Sequence, residues 1–156
     1  MIILGIFKFE DLDFIINYFQ NYTNIEVEIP LEIDWNDELN LQKRIVNFDI
    51  GIATLKNSEI QISKSGIKAK QYMNNAVPVL STNLPENNSV VIDGINGFFC
   101  DTTNDFKERL IQFHKMSNSD YLQFSKNARE SISNFDHNKY FNDFEEIKND
   151  QQTILL

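Results

Sequence analysis

Residues 64–97, KSGIKAKQYMNNAVPVLSTNLPENNSVVIDGING, decide the fold. They read as a basic helix start, a short buried strand at 78–81 (PVLS), a polar loop, and turns marked by Asp93-Gly94 and Asn96-Gly97. Four of the chain's 14 Lys+Arg residues (Lys56, Lys64, Lys68, Lys70) fall in this neighbourhood, and no acid occurs from Ile60 to Pro85. A loop between strand and helix that gathers positive charge and backbone N–H groups suits an anionic ligand such as a diphosphate. A solvated basic face is the competing reading on charge alone.

Working outward, apolar runs at 2–7 (IILGIF), 49–54 (DIGIAT) and 97–100 (GFFC) predict further buried strands, and 24–30 (NIEVEIP) alternates as a half-exposed one. Helical spacing of apolar residues predicts helices over 10–22, 37–48, about 64–75, 85–92, 103–116, 119–133 and 137–148. Strands alternating with helices imply an α/β fold, with a mainly parallel sheet of about five strands flanked by helices. Residues 1–150 are expected to form one partial domain, and 151–156 a frayed tail.

Composition narrows the function. A net charge of -9 argues against nucleic acid or an anionic membrane as the main partner. The single cysteine, Cys100, excludes an internal disulfide framework and fits a reducing compartment. No apolar run approaches the ~20 residues that span a bilayer, and the amino terminus lacks a basic leader, so a cytoplasmic location is expected. Asp11-Leu12-Asp13 reads as helix-start acids, and His114 and His137 lack partners at metal-ligand spacing, so no metal site is expected.

On a helix, Lys64, Lys68 and Gln71 form one stripe near its first turns, where the helix dipole adds about half a positive charge. Gly66 would let a ligand approach the backbone closely. Lysine is a mobile, strongly hydrated cation suited to phosphate oxygens.

Four pieces stand in order along the chain: DIGIATL (49–55), SKSGIKAKQYMNNAVPVLST (63–82), DGINGFF (93–99) and, more weakly, FDHNKYF (135–141). In that order and spacing they resemble the carboxy-terminal, nucleotide-sugar-binding domain of retaining GT-B glycosyltransferases of the group 1, family 4 type. The resemblance implies a Rossmann-like domain forming the carboxy-terminal half of a GT-B fold. It implies that Lys64, Gly66 and Lys68 face the donor diphosphate. Ser63 and Gln71 occupy the places of two carboxylates common in the family; with Glu59, Asn83 and Asn87 they would face the donor ribose or sugar. The loop at 82–89 departs from the family by carrying Pro85 and Glu86 where paired glycines are usual.

The function this implies is binding of the nucleoside-diphosphate part of a sugar donor, for glycosyl transfer in bacterial polysaccharide or glycoconjugate synthesis. The nucleotide-sugar is the substrate, and no further cofactor is expected. A complete enzyme of this type needs a second Rossmann-like domain, so the expected partner is a separate amino-terminal GT-B domain or chain. Catalytic residues are not assigned, and the chain alone is expected not to transfer sugar. The alternative is a non-catalytic remnant or a protein-interaction α/β module.

Overall fold

The computed structural model describes residues 13, 17–18, 20–21, 37–55 and 66–133. The chain divides into two compact units, Met1–Leu41 and Gln42–Leu156, and the fold described here is that of the second. The strands expected at 2–7 and 24–30, the helix at 137–148 and the tail lie outside the described residues, as does most of the helix at 10–22.

The order of elements is α1 (Glu38–Ile45), β1 (Gly51–Ala53), α2 (Ile67–Asn74), β2 (Val79–Ser81), α3 (Pro85–Asn88), β3 (Gly97–Phe99), α4 (Thr103–Lys115) and α5 (Asn118–Ser131). The three strands form a parallel sheet in the order β1-β2-β3, with Ala53, Ser81 and Phe99 in one register row. This is an α/β architecture with a small parallel sheet flanked by helices. The strands are short, and the central one is buried along its whole length. Parallel strands covered on both faces carry continuous apolar runs, which is how 78–81 reads.

Alternation along the strands sends side chains to two cores. On one face Ala53 and Val79 pack with Ala69 and Met73 of α2, Val90 and Val91 after α3, and Ala128 of α5. On the other, Leu80, Phe98 and Cys100 meet Phe113 of α4, joined by Phe106, Tyr121 and Phe124. Phe98, Phe113 and Phe124 form a ring triangle with centroids 5.4–5.5 Å apart, a tilted and edge-on arrangement that aromatic quadrupoles favour. Arg109 lies over the Phe98 ring, 4.5 Å from its centroid.

The turn sequences that stand out in the chain are explained by this packing. A Cβ on Gly97 would collide with the Val79 backbone carbonyl, so only glycine lets β3 pair with β2 here. A Cβ on Gly51 would run into the Tyr72 ring. Gly94 holds a φ of 74°, and Asp93 Oδ1 accepts the Phe99 N–H at 2.8 Å. Asn96 is buried, donates to Val90 O and Ser131 Oγ, and accepts the Ile92 N–H at 2.7 Å. DGINGF is therefore a self-bonded turn that aims β3 into the sheet.

Helix α5 closes the amino-terminal edge of that sheet. The Tyr121 hydroxyl donates to Asp49 O (3.0 Å), ahead of β1, and Ser125 Oγ donates to Ala76 O (2.6 Å), ahead of β2. Asn127 Nδ2 donates to Ile95 O (2.9 Å), ahead of β3, while Arg129 bonds Asn74 at the end of α2. The carboxyl edge has no such cover from α5.

Candidate functional site

Side chains from three loops meet at the carboxyl end of the sheet. Ligands of parallel α/β sheets bind in the crevice outside the carboxyl ends of the strands, because helix N-termini and variable loops converge there. The loop 82–88 is fixed from several sides. Thr82 Oγ1 accepts the Leu55 N–H at 2.9 Å, tying the end of β1 to the end of β2. Asp101 Oδ1, beyond β3, accepts the Asn83 N–H at 3.2 Å. Asn87 Nδ2 donates to Thr82 O, and Asn88 Nδ2 to Asn83 Oδ1, both at 2.9 Å. Leu84, buried, anchors the loop from below.

The start of α2 lies against this loop. Gly66 is its N-cap, without a side-chain hydrogen bond, and the first turn carries no acid. A Cβ at position 66 would stand 3.0 Å from both Asn87 Oδ1 and Glu86 O. The glycine therefore allows α2 to seat against α3 (Pro85–Asn88). Lys68 is exposed in the first turn, and Gln71, one turn on, is half-buried and engaged with neighbouring groups. Asn83 is exposed in the loop, whereas Asn87 is buried and donates to Thr82 O. Ser63, Lys64 and Glu59 lie outside the described residues. Ser81 ends β2 with its hydroxyl buried and without a hydrogen-bond partner among the described residues.

On the opposite face of the same edge, the structure holds a cleft of about 390 Å³. Ile52, Thr54 and Leu55 bound it on the β1 side and Thr82 on the β2 side. Cys100 and Asp101 form its floor beyond β3, with Thr102, Thr103 and Phe106 from the start of α4. Thr102 caps α4: its hydroxyl accepts the Asp105 N–H while Asp105 Oδ2 accepts the Thr102 N–H at 2.8 Å. Those bonds from Thr102, with one from the Asp101 N–H, hold the Asp105 carboxyl below its ordinary range. Burial pushes the Cys100 thiol up to about 11, with Asp105, Asp93 and Asp101 adding to the rise and Arg109 opposing it. Cys100 is thus protonated at neutral pH and packs as a small buried hydrophobe.

The cleft residues are the ones that sequence reasoning missed. Their one signal is position: Thr54, Thr82 and Asp101 each follow a strand within two residues of its end.

Among the described residues no group of His, Cys, Asp or Glu could hold a metal ion, and no helix is long and apolar enough to cross a membrane. A comparison with known protein families finds no match, and a comparison with curated proteins finds none either.

Proposed function

We propose that this chain is the donor-binding, carboxy-terminal half of a nucleotide-sugar-dependent glycosyltransferase of GT-B type. The observation that carries the reading is the start of α2. Helix α2 starts at the buried Gly66 against the loop 82–88, with no side-chain cap among the described residues, Lys68 exposed in its first turn and no acid in that turn. Such an end offers unsatisfied N–H groups and a positive dipole to an anion. The motif resemblance over 49–99 supports the same assignment.

In this reading Lys64 and Lys68 bind the donor diphosphate and stabilise the charge that develops on it as the glycosyl group leaves. Gln71 can exchange hydrogen bonds with a ribose hydroxyl, as an amide both donates and accepts. Ser63, Glu59 and Asn83 face the ribose or the sugar. Asn87 acts at one remove, by fixing the loop through Thr82. The fold in this reading is Rossmann-like, with a mainly parallel sheet of about five strands. Transfer would require an amino-terminal GT-B domain to bring the acceptor, and the setting would be bacterial polysaccharide or glycoconjugate synthesis in the cytoplasm.

A second reading is a non-catalytic α/β module that binds a protein partner. It is favoured by Glu86, whose backbone stands against Gly66 and whose carboxylate adds negative charge near the helix start. Calorimetric titration with UDP, GDP and ADP separates the two. Saturable binding that the Lys64→Ala/Lys68→Ala variant loses is the expected result. Absence of binding by any of the three, in folded protein, would put the non-catalytic module in its place.

A further inference from the structure

The turn at 93–97 contains the dipeptide Asn96-Gly97, and the fold demands both of its members. Asn96 is 1% exposed and uses its whole amide. Nδ2 donates to Val90 O and Ser131 Oγ, both at 3.0 Å, and Oδ1 accepts the Ile92 N–H at 2.7 Å. Gly97 cannot be exchanged, since a Cβ there would collide with Val79 O. Asn-Gly is also the pairing in which asparagine is chemically most labile, because no side chain shields the following backbone nitrogen. We propose that Asn96 is a site of spontaneous covalent modification, conversion to aspartate and isoaspartate, which the native turn closes and local unfolding opens. The proposal is independent of the donor-binding assignment.

In this reaction the Gly97 nitrogen attacks Asn96 Cγ. A new C–N bond forms at that carbon as the Cγ–Nδ2 bond breaks, and the Gly97 proton departs with the amide as ammonia. Water then opens the five-membered imide at one of its two carbonyls. One opening gives aspartate; the other gives isoaspartate, with the main chain rerouted through the former side chain. Water is the one co-reactant.

Native geometry blocks the attack from both sides. Three hydrogen bonds pin the amide, and swinging it towards Gly97 would leave buried polar groups unpaired. Gly97 is held in β3 opposite Val79 and is bridged to Asp93, with its carbonyl accepting the Gly94 N–H at 2.9 Å. Its nitrogen stays in place while the strand is paired. Helix α5 fastens the turn at two points, through Ser131 on Asn96 and through Asn127 Nδ2 on Ile95 O. Conversion therefore proceeds through opened molecules, at a rate proportional to their population.

The product does not fit the place it leaves. An aspartate at 96 sets a carboxylate oxygen against Val90 O, where a donor stood, and buries a charge. Isoaspartate lengthens the main chain by one carbon ahead of Gly97 and disturbs its register with Val79. Each conversion is one-way. The turn thus records past openings, and converted molecules lose the seat of β3 and its link to α5.

The test incubates the full chain in mildly alkaline buffer, folded and in guanidinium chloride. The peptide spanning Asn96 is followed by mass and by chromatographic separation of its aspartyl and isoaspartyl forms. Asn127→Ala is run beside the wild type, because it removes the bond to Ile95 O and leaves the reacting dipeptide untouched. The expected result is conversion of Asn96 about tenfold or more slower in the folded chain than in the unfolded one. Asn127→Ala should raise the folded rate about fivefold, the equilibrium effect of one hydrogen bond, and leave the unfolded rate unchanged. Converted ¹⁵N-labelled chain, isolated by ion exchange, should lose the native amide positions from Ile92 to Phe99. Equal rates in folded and unfolded chain overturn the proposal, as does a folded rate in Asn127→Ala no higher than that of wild type. A converted chain with the wild-type spectrum, or an unfolded chain in which Asn96 stays intact, overturns it too.

Discussion

Ala76 sits where a glycine would be at ease. It follows the last turn of α2 with a φ of 59°, and the bonds Ala76 N–H to Met73 O and Val77 N–H to Tyr72 O complete a Schellman motif around it. A side chain in the left-handed region costs roughly 1–2 kcal/mol, while glycine loses about 0.5–1 kcal/mol through its freer unfolded state. Ala76→Gly should accordingly raise unfolding stability by about 0.5–1 kcal/mol, read by urea denaturation at unchanged slope. The position could be suspected from VP following a helical run, but alanine gives no sign of positive φ. Gly66 teaches the converse. In the sequence it suggests room for a ligand, and in the structure the direction a Cβ would take is filled by Asn87 and Glu86.

Among the elements, α4 has the most complete start, with Thr102 and Asp105 bonding each other's backbone N–H groups. Thr102→Ala should cost about 1 kcal/mol of stability, measured by chemical denaturation near neutral pH. The difference between wild type and a second variant, Asp105→Ala, which removes the carboxylate that accepts the Thr102 and Asp101 N–H groups, should by contrast shrink in acid. Asp105 has a folded value below its ordinary 3.8, so its contribution is full above that value and is lost as pH falls through the lower, folded one. Persistence of the whole difference under strongly acid conditions would rule out the reciprocal bond as its source.

The strands at 49–54, 78–81 and 97–100 were legible because apolar runs there end in turn or polar residues, and the structure places Gly51–Ala53, Val79–Ser81 and Gly97–Phe99 within them. Helix α5 begins at Asn118, one residue ahead of the expected 119, because Ser117 and not a later residue accepts the Asp120 N–H. The cleft was not legible. Its walls come from three loops far apart in sequence, and only the register Ala53–Ser81–Phe99 brings Thr54, Thr82 and Asp101 to one edge.

On the scale of the whole molecule, α5 has a role that no sequence pattern announces. Its apolar spacing reveals a packed helix, but Tyr121, Ser125 and Asn127 act through hydroxyl and amide groups on backbone carbonyls 72, 49 and 32 residues away. Each acceptor precedes a different strand. Tyr121→Phe, Ser125→Ala and Asn127→Ala should each lower stability by roughly 1 kcal/mol, and the triple variant by close to their sum, since the acceptors are separate. Denaturation of the single and triple variants checks this. A triple variant no weaker than one single would show that the bonds are not independent fasteners.

That clasp has a consequence for how the protein is made. Synthesis delivers all three strands before Tyr121, Ser125, Asn127 and Arg129, so on the ribosome the sheet can pair early but stays unlatched until its final described helix emerges from the exit tunnel. A translational pause between Ser117 and Arg129 would prolong that unlatched interval, with the apolar surfaces meant for Ala128 and Phe124 open to chaperones for as long as it lasts.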